Sequence, residues 1–230
     1  MQLINYQITI DEIVIEVTRK NIKNIRLVIH RSEGRVRISV PLHVDDEILR
    51  QFVVKKIPWI KKNHSKPSKT EYLFISGEIH YFQGKSYLLN LTERDCKPKI
   101  EIRDDSCLDI YLPPGSDPDK RKSLLLAWYK QYLEYSIPEY IKYWEPILNV
   151  QVKKWGIKLM KTRWGSCNFR DRRIWLNLEL AKHAPQCIEY VVVHEMVHLL
   201  EPNHGSKFIA LMDQHLPDWR IIKKQLNGIH

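Results

Sequence analysis

The 230-residue chain has only four cysteines, Cys96, Cys107, Cys167 and Cys187, and no C-x-x-C pair. That spacing excludes a thiolate zinc knuckle. Reduced, buried thiols are the expectation, with a Cys96–Cys107 disulfide as the alternative. No apolar run approaches the ~20 residues of a membrane helix. The longest, 188–200, contains two histidines and two glutamates. The first residues lack a basic head followed by an apolar stretch, so no secretory signal is expected. Low-complexity and internally repeated stretches are missing, as are zinc-finger, helix-turn-helix and RNP signatures. These absences together point to a soluble, cytoplasmic protein with no membrane partner.

What is present is an ordinary globular mixture, 43% hydrophobic and 28% charged, which supports a packed core. The length suits one large domain or two small ones. The net charge of +10 favours anionic partners, nucleotides or nucleic acid among them, although charge alone carries little specificity. Its densest cluster is Lys55, Lys56, Lys61, Lys62, Lys66 and Lys69, interleaved with Trp59 and His64. Most of it falls on the outer face and tail of an expected helix, where lysines ordinarily face water.

The first half reads as strands at 13–17, 25–29 and 36–40, rich in β-branched residues, with a reversal at Gly34 and a stop at Pro41. Asp45, Asp46 and Glu47 open a helix over 46–63, with Ile48, Phe52, Ile57 and Trp59 as its apolar side and Pro58 inside. A loop at 65–69 follows. Strands resume at 72–75, 79–82, 87–91, 100–102 and 108–112, separated at Gly77-Glu78 and Gly84-Lys85 by hairpin signals. The Pro- and Gly-rich stretch 113–118 is the strongest punctuation, so the boundary is placed between a β-rich subdomain, 1–115, and a second subdomain, 116–230. Beyond it, Leu124, Leu125, Trp128, Tyr132 and Tyr135 predict a helix to about 148, divided at Pro138. Strands are expected at 150–155 and 173–178, then helices at 186–200, 206–215 and 218–226. The fold class is α+β: a β-rich N-terminal half, then a mainly helical C-terminal half with a small sheet.

One motif carries chemistry. His194-Glu195-Met196-Val197-His198 puts two imidazoles one helical turn apart on one face, a spacing at which both can bind a single zinc ion at ~2.0–2.1 Å. Glu195 projects beside them as a general base for water activated by the metal. The neighbours, Val191 to Val193, Met196, Val197 and Leu199, make the helix apolar almost all round, so it should be buried. Burying two histidines and a glutamate is costly without partners, and one metal ion with its water satisfies all three. The third ligand is open between His204, five residues beyond His198, and Glu201, three beyond it on the same face. His204 has the metzincin spacing, with Glu201 where metzincins carry glycine. Pro202 stops the helix and Asn203 tolerates the turn that would bring His204 back. His183 and His215 read as surface or core histidines.

The blocks Arg163-Trp164-Gly165-Ser166-Cys167, Ile174-Trp175-Leu176-Asn177, Val191 to Leu199, Asn203-His204-Gly205 and Phe208 resemble the YgjP-like metallopeptidase family, relatives of the SprT-like and WLM zinc peptidases. Gly34-Arg35-Val36-Arg37 with Pro41, Trp59-Ile60 and Phe74-Ile75-Ser76-Gly77 extend the likeness over nearly the whole chain. The resemblance implies a zincin-like C-terminal half, with His194, His198 and His204 as ligands of one Zn2+, Glu195 as base, and a peptidase activity. Gly205 stands where related proteins have serine, which alters a helix cap.

The leading expectation is therefore a zinc-dependent hydrolase, a metallopeptidase acting on peptides or proteins. The strand 173–178 would add an extended substrate as a further strand, with Asn177 and Arg163 as candidate substrate-binding residues. In the R-W-G-S-C block, Gly165 permits close backbone approach, while Trp164 and Cys167 read as core. The alternatives are a nucleotide phosphohydrolase, in which Arg163 would hold phosphates, and a nucleic-acid-associated, SprT-like protease.

Overall fold

Alternation of apolar and polar residues produces most of the strands, and the apolar face of each finds a helix to cover it. The structure is a computed structural model that describes residues 4–30, 35–64 and 72–228. The reversal at Gly34, the loop at 65–69, Lys66 and Lys69 lie outside the described residues. The fold is α+β, with most strands in the N-terminal half and the helices concentrated in the C-terminal half. No helix among the described residues is long and apolar enough to cross a membrane.

The chain divides into two compact units, Met1–Glu71 and Tyr72–His230. In the first, β1 (Ile4–Ile10) and β2 (Ile13–Lys20) form a hairpin. Its turn residues Asp11 and Glu12 both take positive φ, 52° and 66°, matching the twist of the flanking strands. β3 (Arg26–His30) and β4 (Arg35–Pro41) complete a sheet of order β1-β2-β4-β3, with β2 and β4 parallel. β1 precedes the first expected strand and was not anticipated. α1 (Asp46–His64) covers the sheet, and the Asp45 carboxylate caps it at Ile48 N. Its buried stripe is Leu49, Val53, Ile57 and Ile60, against Ile15, Val17, Val36 and Ile38. The expected apolar side holds at Ile57 and partly at Phe52, but Ile48 and Trp59 are exposed, because Leu49 and Ile60, the next residues along, face the sheet in their place.

In the second unit, β5 (Ile79–Phe82), β6 (Lys85–Glu93), β7 (Lys99–Arg103) and β8 (Cys107–Leu112) form a sheet of order β5-β6-β8-β7. Its pairings, antiparallel, parallel, antiparallel, repeat those of the first sheet, and again a helix follows. A repeated topology therefore exists where the sequence read as unrepeated. Residues 72–75 form no strand. Phe74 takes φ 55°, and the Glu78 carboxylate accepts from the backbone N–H of Leu73 (2.7 Å) and Phe74 (2.9 Å), donors a ladder would need.

α2 (Pro118–Leu148) starts at an Asp117 cap and runs unbroken through Pro138. A mid-helix proline costs about 3 kcal/mol, but Leu125, Tyr129, Leu133, Ile137, Ile141 and Trp144 are buried on both sides of it and hold the helix continuous. Those residues share one core with Leu108, Ile110 and Leu112 of β8, and the Tyr129 hydroxyl donates to the Tyr81 carbonyl at 2.7 Å. The expected boundary at 115/116 consequently falls inside the second unit; the division lies at 71/72. The remainder comprises β9 (Lys154–Lys158), β10 (Gly165–Asn168), β11 (Arg173–Asn177), a 3-10 turn (Leu178–Lys182), α3 (Pro185–Val197), α4 (Ser206–His215) and α5 (Trp219–Gly228). The small sheet has order β10-β11-β9.

Candidate metal centre

Proline at the first helical position starts α3, and nine of its residues, among them Ile188, Val191, Val192, Val193 and Glu195, are buried. The 3.6-residue repeat brings His194 and His198 to one side, ring centroids 4.9 Å apart. After Val197 the backbone closes with bonds from Leu200 and Glu201 N–H to the Val197 carbonyl, and Pro202, lacking an N–H, prevents a further turn. The chain then returns, with the His204 ring tilted 5.0 Å from that of His194 and edge-on 4.6 Å from that of His198. One ring nitrogen from each of the three lies within 4.8 Å of the others. Glu201 stands outside this cluster; its carbonyl takes the Nδ1 side of His198 at 3.1 Å. A bond there leaves Nε2 free to coordinate. α4 opens on Gly205 with no side-chain cap, and His204 still joins the cluster.

Phe208 is the common floor. It is 1% exposed, and its ring lies 4.9, 4.7 and 4.7 Å from those of His194, His198 and His204. Burial, then His198, His204 and Lys223, push the pKa of His194 down to about 3, and burial first also lowers that of His198. Both are therefore neutral at pH 7, the protonation state a metal requires. The Nε2 atoms of His194 and His204 sit 3.0 Å apart, and the buried Nδ1 of His194 has no hydrogen-bond partner among the described residues. Neutral imidazoles aimed at one another in this way fit a shared cation.

Glu195 is 5% exposed. Burial raises its pKa to about 8, and Arg163 draws it partly back. Gly165 makes its room: a Cβ there would stand 2.5 Å from Glu195 Oε1. The close approach expected at Gly165 is thus by a side chain of α3. Cys167, two residues along the same strand, has its thiol pushed up to about 11 by burial and by Glu195.

These groups open onto a cavity of about 520 Å³ whose wall includes Arg163, Trp164, Cys167, Phe169, Tyr190 and Lys223. Three expectations need correction. Asn177 is buried and off the cavity wall; its carboxamide donates to the Met160 and Arg163 carbonyls (3.0 and 2.8 Å) and accepts from Met160 and Glu179 N–H (both 3.2 Å). Fully used in this way, it braces the loop that carries Arg163. Trp164 and Cys167 are half-buried, packed against the core with one side on the cavity wall, and Trp164 Nε1 donates to Asn227 Oδ1 at 3.1 Å. The strand expected to receive substrate, β11, is paired on both sides, so the free edge beside the site belongs to β10. Arg163 does reach the wall. Lys223, Leu226 and Asn227 of α5, with Phe169, were missed; no local pattern marks them, because only the packing of α5 on α3 brings that helix to the site.

The model of the family described as YgjP-like, metallopeptidase domain, matches residues 23–228. No curated protein matches. Two crystal structures of metallopeptidase zymogens are similar in part. Abylysin of Pyrococcus abyssi is 18% identical, with 40% of this chain and 92% of that chain covered and a TM-score of 0.38. Jannalysin of Methanocaldococcus jannaschii is 21% identical, with 40% and 94% covered and a TM-score of 0.36.

Proposed function

We propose that this chain, which belongs to the YgjP-like metallopeptidase family, hydrolyses peptide bonds with one zinc ion held by His194, His198 and His204. The observation that carries the reading is the meeting of three imidazoles beside a buried carboxylate on an open cavity. Zinc bound there would supply a Lewis acid that acidifies the attacking water and polarises the peptide carbonyl. Glu195 takes the proton of the attacking water on its carboxylate and passes it to the departing amine nitrogen. A cation close by favours the ionised carboxylate, which offsets the effect of burial and leaves Glu195 able to act as base. The free backbone edge of β10, which starts at Gly165 against Glu195, pairs with an extended peptide and lays its scissile bond across the site.

The test is Glu195→Gln in zinc-loaded protein, assayed on an unfolded protein substrate. Loss of a proton carrier costs about 10²–10⁴-fold in rate, with zinc content unchanged; full retained activity rules this mechanism out. Hydrolysis of nucleoside triphosphates keeps one observation on its side, the cations Arg163 and Lys223 on the cavity wall. Metal-dependent release of phosphate or pyrophosphate, with peptides untouched, would favour that reading. A nucleic-acid-associated protease rests on net charge alone, and salt-sensitive DNA binding tests it.

A further inference from the structure

The wall of the cavity carries two cations to which the hydrolytic step assigns no work. Arg163 lies in the loop that enters β10, and Lys223 projects from α5; both share the wall with His194 and Glu195. Among the described residues neither forms an ion pair, whereas Arg103 meets Asp109, Arg121 meets Glu93 and Arg220 meets Asp213. Glu195 is the sole carboxylate on the described wall. With a divalent cation in place, positive charge exceeds negative around the site, and the aromatic walls of Trp164, Phe169 and Tyr190 concentrate that field.

Both residues stand on anchored backbone and are themselves exposed. The buried Asn177 carboxamide holds the Arg163 carbonyl at 2.8 Å, and Asn177 N–H holds the Trp164 carbonyl at 2.8 Å. Lys223 lies one turn beyond the buried Trp219, its ammonium 5.5 Å from the indole centroid. Exposed cations on anchored backbone, without a carboxylate partner among the described residues, suit an anionic ligand group that arrives from outside.

We propose that Arg163 and Lys223 form a carboxylate subsite that selects peptide substrates bearing an anionic group next to the scissile bond. The planar Arg163 fork takes the two oxygens and Lys223 adds a mobile point charge. The carboxylate has two possible sources, an acidic side chain or a free C-terminus. This proposal rests on the peptidase reading above.

The test uses the full-length, zinc-loaded protein and one peptide sequence made in matched forms. Glutamate is placed in turn at each position, with glutamine as isostere, and each form carries a free or an amidated C-terminus. The kcat/KM ratio of acidic to neutral peptide should be about tenfold or more, the range of a charge-assisted hydrogen bond, and should lie mainly in KM. Arg163→Gln and Lys223→Gln should each lower the ratio, and Lys223→Glu should turn the preference toward lysine-containing peptides. A response to the glutamate series identifies a side chain as the anion; a response to amidation identifies the C-terminus. Equal cleavage of acidic and neutral forms, or a ratio that survives the double Gln variant, overturns the subsite and leaves the peptidase reading standing. If neither the peptides nor an unfolded protein is cut, the peptidase reading falls and the subsite with it.

Discussion

Gly165→Ala is the sharpest probe of how the site is built. An added Cβ would lie 2.5 Å from Glu195 Oε1, 2.7 Å from its Cγ and 2.9 Å from its Cδ. Comfortable heavy-atom separations begin near ~3.5 Å, so the carboxylate must move by about 1 Å or β10 must be pushed outward. Gly165 has no positive φ, so the methyl group itself is the whole perturbation. Overpacking of this kind costs about 1–3 kcal/mol of stability. A catalytic group displaced by ~1 Å loses about 10²-fold in rate. The three atoms nearest the new methyl all belong to Glu195 and none to a histidine, so zinc content should be kept. The assay is cleavage of an unfolded protein by the zinc-loaded variant, with metal analysis and a thermal melt on the same sample. A double-mutant cycle sharpens it: once Glu195→Gln has removed the proton carrier, Gly165→Ala should cost little further activity. Activity within twofold of wild type would refute the reasoning, and so would full additivity in the cycle.

Four further outcomes follow from the same geometry. Phe208→Ala removes the floor common to three imidazoles and should cost about 3–5 kcal/mol, with weakened zinc retention seen by competition with a chelator; unchanged retention would mean the rings are held elsewhere. Metal-free protein should change stability with pH through Glu195: its pKa is raised from 4.5 to about 8, so its contribution is complete below pH ~4.5 and is lost as pH climbs toward ~8. The melting temperature of the metal-free protein should therefore fall across that window relative to Glu195→Gln, and parallel curves would contradict the burial of this carboxyl. Stripping zinc should lower the melting temperature of the native protein, since a ligand at 100 times its Kd stabilises by about 2.7 kcal/mol; a melt indifferent to chelation argues against the three-histidine site. Asn177→Ala leaves part-buried backbone groups at Met160 and Arg163 without their partner and should destabilise by about 1–3 kcal/mol in all, read by chemical denaturation; a neutral substitution would show that the loop does not depend on its carboxamide.

Much of the metal centre was legible locally. The four-residue step from His194 to His198 and the Pro202 stop depend only on helix geometry, and α4 falls on its expected span, 206–215. β-Branched richness located β2, alternation located β3 and β4, and the Gly84 hairpin appeared where expected. What local pattern misjudged was context. Pro138 lies within a continuous α2 because buried neighbours on both sides outweigh its penalty, and residues 72–75, rich in strand-formers, lose their ladder to the Glu78 carboxylate.

By itself, the sequence determined which residues ride on one helical face, where the chain must turn, and to which family the chain belongs. Only the tertiary structure decided that Gly165 is small because Glu195 lies over it and that the Asn177 carboxamide is buried against the Met160–Arg163 backbone. It also decided that β10 owns the free edge and that α5 brings Lys223 to the cavity. The reason is physical. Periodicity is written in spacings of two to four residues, whereas a cavity wall is assembled from segments tens of residues apart, brought together by a shared core whose partners no single segment specifies.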